Sequence, residues 1–231
     1  MRHTTIVLSV LMAASVSVSA LAGDHAHVSS AQGWTPASLS QALQTMPKGN
    51  AVHGKQLHGE RFCASCHGVA GESVSMNWPS LAGQRAEYTY KMLLDYQSRL
   101  RREDDRADLM VVSVHGLSKQ DMADLAAYYA AQTLPRASAK ADADIEKLVR
   151  KGDPERLVTP CAACHGLRGQ GGINESPALA GMSSDYFIRT MKAYREGHRH
   201  NDSAQAMRAF AKPLTDAEIA ALAAYYAEAN P

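Results

Sequence analysis

The sequence has few cysteines and few aromatic residues, and its net charge is close to zero. Its 231 residues include four cysteines, three phenylalanines and two tryptophans, and the formal charge at pH 7 is +1. Residues 23–134 carry 10 basic and 11 acidic side chains, and residues 135–231 carry 13 and 12. Neither half forms the basic field that nucleic-acid binding requires, and no Lys/Arg run alternates with aromatic residues. The composition therefore excludes nucleic acid as a partner.

An apolar run long enough to cross a membrane is also missing. The run over residues 6–14 is well below the roughly 20 residues that span a bilayer. Arg2 precedes it and the small-residue stretch "SVSVSALAG" follows, an order typical of a signal peptide. We predict cleavage after Ala22, with Ala20 as the neighbouring option, and hence an exported protein without a transmembrane anchor; the sequence leaves peripheral membrane association open.

The chain repeats itself at an offset of 98 residues, which becomes 97 after one deletion. Matching segments are "CASCHG" at 63–68 and "CAACHG" at 161–166, "PSLAG" at 79–83 and "PALAG" at 177–181, and "LAAYYA" at 125–130 and 222–227. Matching single residues are Tyr88 and Tyr186, Tyr96 and Tyr194, and Met110 and Met207. Two tandem domains of about 100 residues are therefore predicted.

The repeat divides the chain into five segments. They are a signal peptide at 1–22, an N-terminal arm at 23–50, a first domain at 51–134, a linker at 135–143 and a second domain at 144–231. The linker "PRASAKADA" replaces the apolar pattern by Pro, Ser and small or charged residues. In the arm, Thr35-Pro36 predicts the start of a short helix, although we expect the arm to be partly ordered at best.

Both repeats have helical patterns. A short helix is predicted before each cysteine motif, a longer one follows it where apolar residues recur at i, i+4 spacing, and a third starts at Ser118 or Thr215. Ser118 and Thr215 are suitable N-caps with acidic residues in the following turn. No segment shows sustained period-two alternation bounded by hairpin turns, so the predicted fold class is all-α.

Every cysteine lies in a Cys-x-x-Cys-His-Gly motif, the pattern of c-type haem attachment. Cysteines at i and i+3 lie on one face of a helical turn, so both sulfurs can form thioethers to one haem while the adjacent histidine points at the iron. The predicted residues are Cys63, Cys66 and His67, and Cys161, Cys164 and His165. The alternatives are a thioredoxin-like redox pair, a Cys₄ zinc site or structural disulfides.

The second axial ligand of each iron is predicted to be a methionine. Met110 and Met207 are kept in register with the haem motif, whereas His53, His58, His115, His198 and His200 do not pair under the repeat offset. Met/His ligation is a standard c-type arrangement. Pro79 and Pro177 each lie twelve residues after the motif histidine, and their carbonyls are predicted to accept its other N–H.

These motifs resemble a known family. The two CxxCHG units, "WPSLAGQRAEY", "SPALAGMSSDY" and the helices ending in "LAAYYA" are similar to di-haem cytochrome c4, two class I cytochrome c domains in tandem. The resemblance implies two covalently bound haem c groups that face each other across a pseudo-twofold interface. It also implies His67/Met110 and His165/Met207 as axial pairs, and a periplasmic carrier between a respiratory reductase and a terminal oxidase.

Filled axial positions favour electron transfer over enzymatic chemistry, so the leading prediction is a carrier that is not an enzyme. Two alternatives remain open. One is a di-haem electron-transfer subunit of an oxidoreductase such as a flavocytochrome sulfide dehydrogenase. The other is a di-haem peroxidase, which would need a distal position that opens for peroxide.

Overall fold

The computed structural model describes residue 1 and residues 33–73, 75–138, 142–173 and 175–227. Across these ranges the chain forms eleven α-helices and two short 3₁₀ helices, and no β-strand. The predicted all-α class is confirmed. Apart from residue 1, the predicted signal peptide lies outside the described residues. Each helix in the described ranges is too short or too polar to cross a bilayer.

The helices fall into two series. The first comprises α1 (Pro36–Gln44), α2 (Ala51–Glu60), α3 (Ala64–His67), α4 (Ala86–Gln97), α5 (Asp105–Ser113) and α6 (Lys119–Ala130). The second comprises α7 (Ala143–Lys151), α8 (Cys161–His165), α9 (Ser184–Glu196), α10 (Ala206–Ala211) and α11 (Asp216–Tyr226). The predicted caps are confirmed, because Ser118 and Thr215 each form a capping box at the start of α6 and α11.

Each series encloses its own apolar core. In the first, α6 packs against α2 and α4 and buries Met122 and Leu125. In the second, α9 packs against α10 and α11, which buries Ile219 and Leu222. The buried positions come from corresponding helices of the repeat, so sequence duplication is accompanied by duplication of the core.

The later part of the arm is folded against both halves. Thr35 caps α1, and Leu39 is buried with an exposed fraction of 4%. The indole N–H of Trp34 donates to the carboxylate of Asp95, and α1 also lies against the 3₁₀ helix Ser203–Gln205 of the second series. Residues 33–50 are therefore held by contacts with distant residues, which local sequence patterns do not reveal.

The two halves meet through contacts exchanged between equivalent positions. Arg101 donates to the hydroxyl of Tyr186 at 3.0 Å, and Arg199 donates to the hydroxyl of Tyr88 at 3.3 Å. The Gln84 amide bonds both the N–H and the carbonyl of Ala178. Because the Arg101–Tyr186 and Arg199–Tyr88 pairs join equivalent positions of the repeat in opposite directions, these contacts have pseudo-twofold symmetry.

Candidate functional site

Two cavities bring the eight predicted site residues together in two sets of four. The first, about 250 Å³, is lined by Cys63, Cys66, His67 and Met110. The second, about 270 Å³, is lined by Cys161, Cys164, His165 and Met207. Most of the remaining lining is apolar or aromatic, and includes Leu and Tyr side chains of the helices that form each core. Such a lining suits a large planar apolar cofactor.

A single helical turn places the two cysteines of each motif on one side. Cys63 is the N-cap of α3 and Cys66 lies within it, and Cys161 and Cys164 lie within α8. All four are free thiols, so the disulfide alternative is not supported. Gly68 and Gly166 then end the turn with φ of +81° and +79°, a backbone conformation that glycine adopts without strain.

The motif histidines are fixed by the predicted proline carbonyls. The Nδ1–H of His67 donates to the Pro79 carbonyl at 3.0 Å, and that of His165 donates to the Pro177 carbonyl at 2.9 Å. This prediction is confirmed. Burial lowers the pKa of both imidazoles, so they are neutral, and the donation from Nδ1 leaves Nε2 with a free lone pair.

The Nε2 atom of His67 is buried and has no hydrogen-bond partner in the described residues. An unpartnered buried acceptor costs stability unless another group binds it. It lies on a cavity that also presents two free thiols, the set of groups that haem c attachment requires. The residues present therefore fit a covalently attached haem.

The two methionines reach the cavities from helices that the sequence patterns did not predict. Met110 lies on α5 and Met207 lies on α10. The five alternative histidines lie outside both cavity linings. Among them His58 is buried, but its Nδ1 lies 2.9 Å from the Tyr129 hydroxyl and its Nε2 lies 3.0 Å from the Gly68 carbonyl, so it is already engaged.

The zinc and thioredoxin alternatives find no support in the geometry. Across the described ranges no three His, Cys, Asp or Glu side chains cluster so as to hold a metal ion. The cysteine pairs lie in separate cavities, and the described residues contain no βαβ unit of the kind in which a thioredoxin-like pair is found.

The sequence patterns did not identify the arginines that join the two cavities. Arg101 lines the first cavity and Arg199 the second. Burial raises the pKa of the Tyr186 phenol, but the two guanidinium groups outweigh burial and lower it to about 8. Arg101 and Arg199 are 98 residues apart, so the sequence repeat could have identified them as an equivalent pair.

The two cavities adjoin, because five residues line both of them: Tyr88, Met92, Met182, Tyr186 and Thr190.

Comparison with known proteins gives a consistent set of similarities. The cytochrome c family model matches residues 51–132 and 155–229. Cytochrome c4 of Thiocapsa roseopersicina is 38% identical over 169 residues, which cover 71% of this chain and 84% of that protein. The thiosulfate dehydrogenase electron acceptor of Stutzerimonas stutzeri (strain A1501) is 31% identical, over 84% of this chain and 94% of that protein.

A solved structure is similar throughout its length. The crystal structure of reduced recombinant cytochrome c4 from Pseudomonas stutzeri superimposes with a TM-score of 0.69 at 30% sequence identity. The match covers 79% of this chain and 100% of that chain. The similarity therefore extends over both tandem domains of the solved structure.

Proposed function

Because the chain belongs to the cytochrome c family, and within it to the di-haem cytochromes c4, we propose that it carries electrons in the periplasm between a respiratory reductase and a terminal oxidase or another high-potential acceptor. Its cofactor is haem c, and its class is that of electron-transfer cytochromes. We further propose that the chain holds two haems, on the residues named below, and that it meets its redox partners in the periplasm.

The proposed attachment uses both cavities. Thioethers form at Cys63 and Cys66 for the first haem, and at Cys161 and Cys164 for the second. His67 with Met110 and His165 with Met207 would hold the two irons. Haem c supplies a one-electron Fe(III)/Fe(II) couple when bound. The observation that carries the proposal is the placement of one complete set of these residues on each of two adjoining cavities.

This chain's own residues do three things for such a cofactor. The proline carbonyls hold each imidazole in the tautomer that leaves Nε2 free. The buried apolar helices exclude water from the cavity, and the methionines on the cavity walls would hold the iron at the position where a reactant would otherwise bind. A site closed on both sides favours electron exchange over oxygen or peroxide chemistry.

A redox titration followed by visible spectroscopy tests the proposal. The purified holoprotein is expected to contain two haems per chain, both six-coordinate and both reversibly oxidised and reduced. Carbon monoxide is expected not to bind the reduced protein. Ready, stoichiometric carbon monoxide binding, or semi-reduced protein with cytochrome c peroxidase activity, would instead favour the peroxidase alternative.

A second candidate is supported by a named relative. The thiosulfate dehydrogenase electron acceptor of S. stutzeri is similar to 84% of this chain, which makes a thiosulfate-oxidising enzyme a candidate donor. This is a more specific version of the electron-transfer-subunit prediction. Purification from the native source distinguishes the two functions, since a permanent subunit elutes with a catalytic chain whereas a free carrier elutes alone.

A further inference from the structure

Two buried arginines from equivalent positions of the repeat lie side by side at the domain interface. Arg101 is 4% exposed and Arg199 is 2% exposed. Both donate to Sδ of Met92, and each also reaches a tyrosine of the other half. Like charges in such a place are costly unless negative charge compensates them. The charged groups around each guanidinium therefore determine the electrostatic potential in the cavity beside it.

The symmetry is broken two residues further along each repeat, where Glu103 corresponds to Asn201. Arg101 forms an ion pair with Glu103 at 3.1 Å, and both side chains are almost completely buried. Arg199 instead donates to the amide oxygen of Asn201 at 2.9 Å. Within the part of the chain that the structure describes, no carboxylate lies at ion-pair distance from Arg199. Arg101 is therefore in contact with a carboxylate, whereas Arg199 is in contact with a neutral amide.

The other charged side chains on the two cavities do not restore the balance. Apart from Glu175, the buried or half-buried ones are paired: Lys91 with Asp95, Asp104 with Arg189, and Asp202 with Arg208. Arg61 and Arg106 on the first cavity are exposed, and Glu175 on the second is half-buried. Water and salt screen such groups far more than the buried ones.

Glu103 lines the first cavity and is absent from the lining of the second. Its Oε2 atom is buried and has no hydrogen-bond partner in the described residues, so this oxygen is not neutralised by a donor. Burial raises the pKa of the Glu103 carboxyl, but Arg101 and Arg199 outweigh burial and hold it below its usual value. The side chain is therefore a carboxylate at neutral pH.

We propose that the Glu103/Asn201 difference sets the order of the two reduction potentials. The Glu103 carboxylate would stabilise the more positive Fe(III) state in the first cavity, and Arg199, which has no carboxylate at ion-pair distance in the described residues, would stabilise Fe(II) in the second. The haem group itself is the same in both cavities and contributes no difference. One electron then moves from the first haem, which is oxidised, to the second, which is reduced. This inference rests on the proposed function.

A redox titration of Glu103→Gln holoprotein provides the test. At a fixed ambient potential, the ratio of reduced to oxidised first haem is expected to rise about tenfold, the order for removing one unit charge in a partly buried site. Tenfold corresponds to about 59 mV for a one-electron couple. Asn201→Asp should lower the same ratio for the second haem.

The same substitutions are repeated in a Met110→His background, which alters the spectrum of the first haem. The altered spectrum identifies the haem whose reduction potential has changed.

Glu87→Gln is the matched control, since Glu87 is a half-exposed carboxylate of the same domain. It should leave both potentials unchanged. The wild-type difference should also persist when the salt concentration is raised, because buried charges are poorly screened. Should Glu103→Gln fail to fold, Asn201→Asp still reports on the same asymmetry.

The proposal is overturned if both haems are present and Glu103→Gln moves neither potential or moves only the second. It is equally overturned if the first haem has the higher potential. Finding one haem per chain, or an open coordination site, would refute the proposed function instead. The two failures are therefore distinguishable.

Discussion

The Trp34 indole donates a hydrogen bond to the Asp95 carboxylate, with 2.5 Å between Nε1 and Oδ1. The same carboxylate accepts from Lys91 of its own helix at 2.7 Å and from the Asn201 amide of the second half at 2.6 Å. Asp95 is fully buried. A single buried carboxylate thus joins the arm, the first domain and the second domain.

Asp95→Asn is expected to destabilise the holoprotein by about 3–5 kcal/mol, because it leaves the Lys91 ammonium buried without a counter-charge. Trp34→Phe, which removes only the arm's hydrogen bond, should cost about 1–2 kcal/mol. Denaturant unfolding measures both. Asp108→Asn is the control, since the carboxylate of Asp108 pairs with Arg102 in solvent, and it should change stability little. Equal losses for Asp95 and Asp108 would contradict the role given to Asp95.

Gly83→Ala should cost more than about 1 kcal/mol. Gly83 has a φ of +68°, and an added Cβ would lie 2.5 Å from the Leu134 backbone, so the alanine is strained and has no room. Thermal or denaturant unfolding of the holoprotein gives the comparison.

Gly59→Ala is the matched control for Gly83→Ala. Gly59 lies in α2, and a Cβ added there would meet nothing within 4 Å, so alanine should stabilise the protein by up to about 1 kcal/mol through helix propensity. The two Gly→Ala substitutions should therefore change the free energy of unfolding in opposite directions. Destabilisation by Gly59→Ala to the same extent would show that the close approach at Gly83 is unimportant.

Met110→Ala should leave a folded protein in which the first haem has lost its sulfur ligand. Half of the sulfur-to-iron charge-transfer absorbance of the oxidised protein should disappear, and the reduced protein should bind about one carbon monoxide per chain. Met76→Ala is the control, because Met76 is 52% exposed and has no methionine counterpart in the repeat. Full retention of the band in Met110→Ala would remove Met110 from the proposed ligand set.

Stability is expected to fall as the pH rises above neutrality, because of His53. The hydrogen bond to Asp124, 2.6 Å from Nδ1 to Oδ2, raises the pKa of His53 above its ordinary value. A raised folded-state pKa contributes stability below the unfolded value and loses it as the pH passes through the folded value. The loss should therefore begin near the ordinary histidine pKa of about 6.5 and continue as the pH rises through the raised folded-state pKa.

His53→Asn should flatten this part of the pH profile, measured as the free energy of unfolding at several pH values. His115→Asn serves as the control, since His115 is exposed and its side chain has no hydrogen-bond partner in the described residues. If His53→Asn and wild type have parallel profiles, the ion pair does not contribute to folding in this range.

Local signals in the sequence were sufficient to predict most helices and the hydrogen bonds of the two motif histidines. Ser118 and Thr215 mark helix starts because a hydroxyl that caps the backbone acts within three residues. The twelve-residue spacing likewise predicted the proline carbonyls as partners of the motif histidines. By contrast, α5 and α10 were not predicted. With six residues, α10 is too short to be stable without packing, and α5 is as long as α1 and α7 but was not recognised from its local pattern.

The sequence by itself determined the all-α class, the duplication and the chemistry available to each half, since helix caps and Cys-x-x-Cys-His spacing act over a few residues. Only the tertiary structure decided that Arg101 meets Tyr186, 85 residues away, and that Trp34 meets Asp95, 61 residues away. Such pairs leave no periodic pattern along the chain. They follow from how two cores dock, and docking depends on shape and buried charge contributed by both halves together.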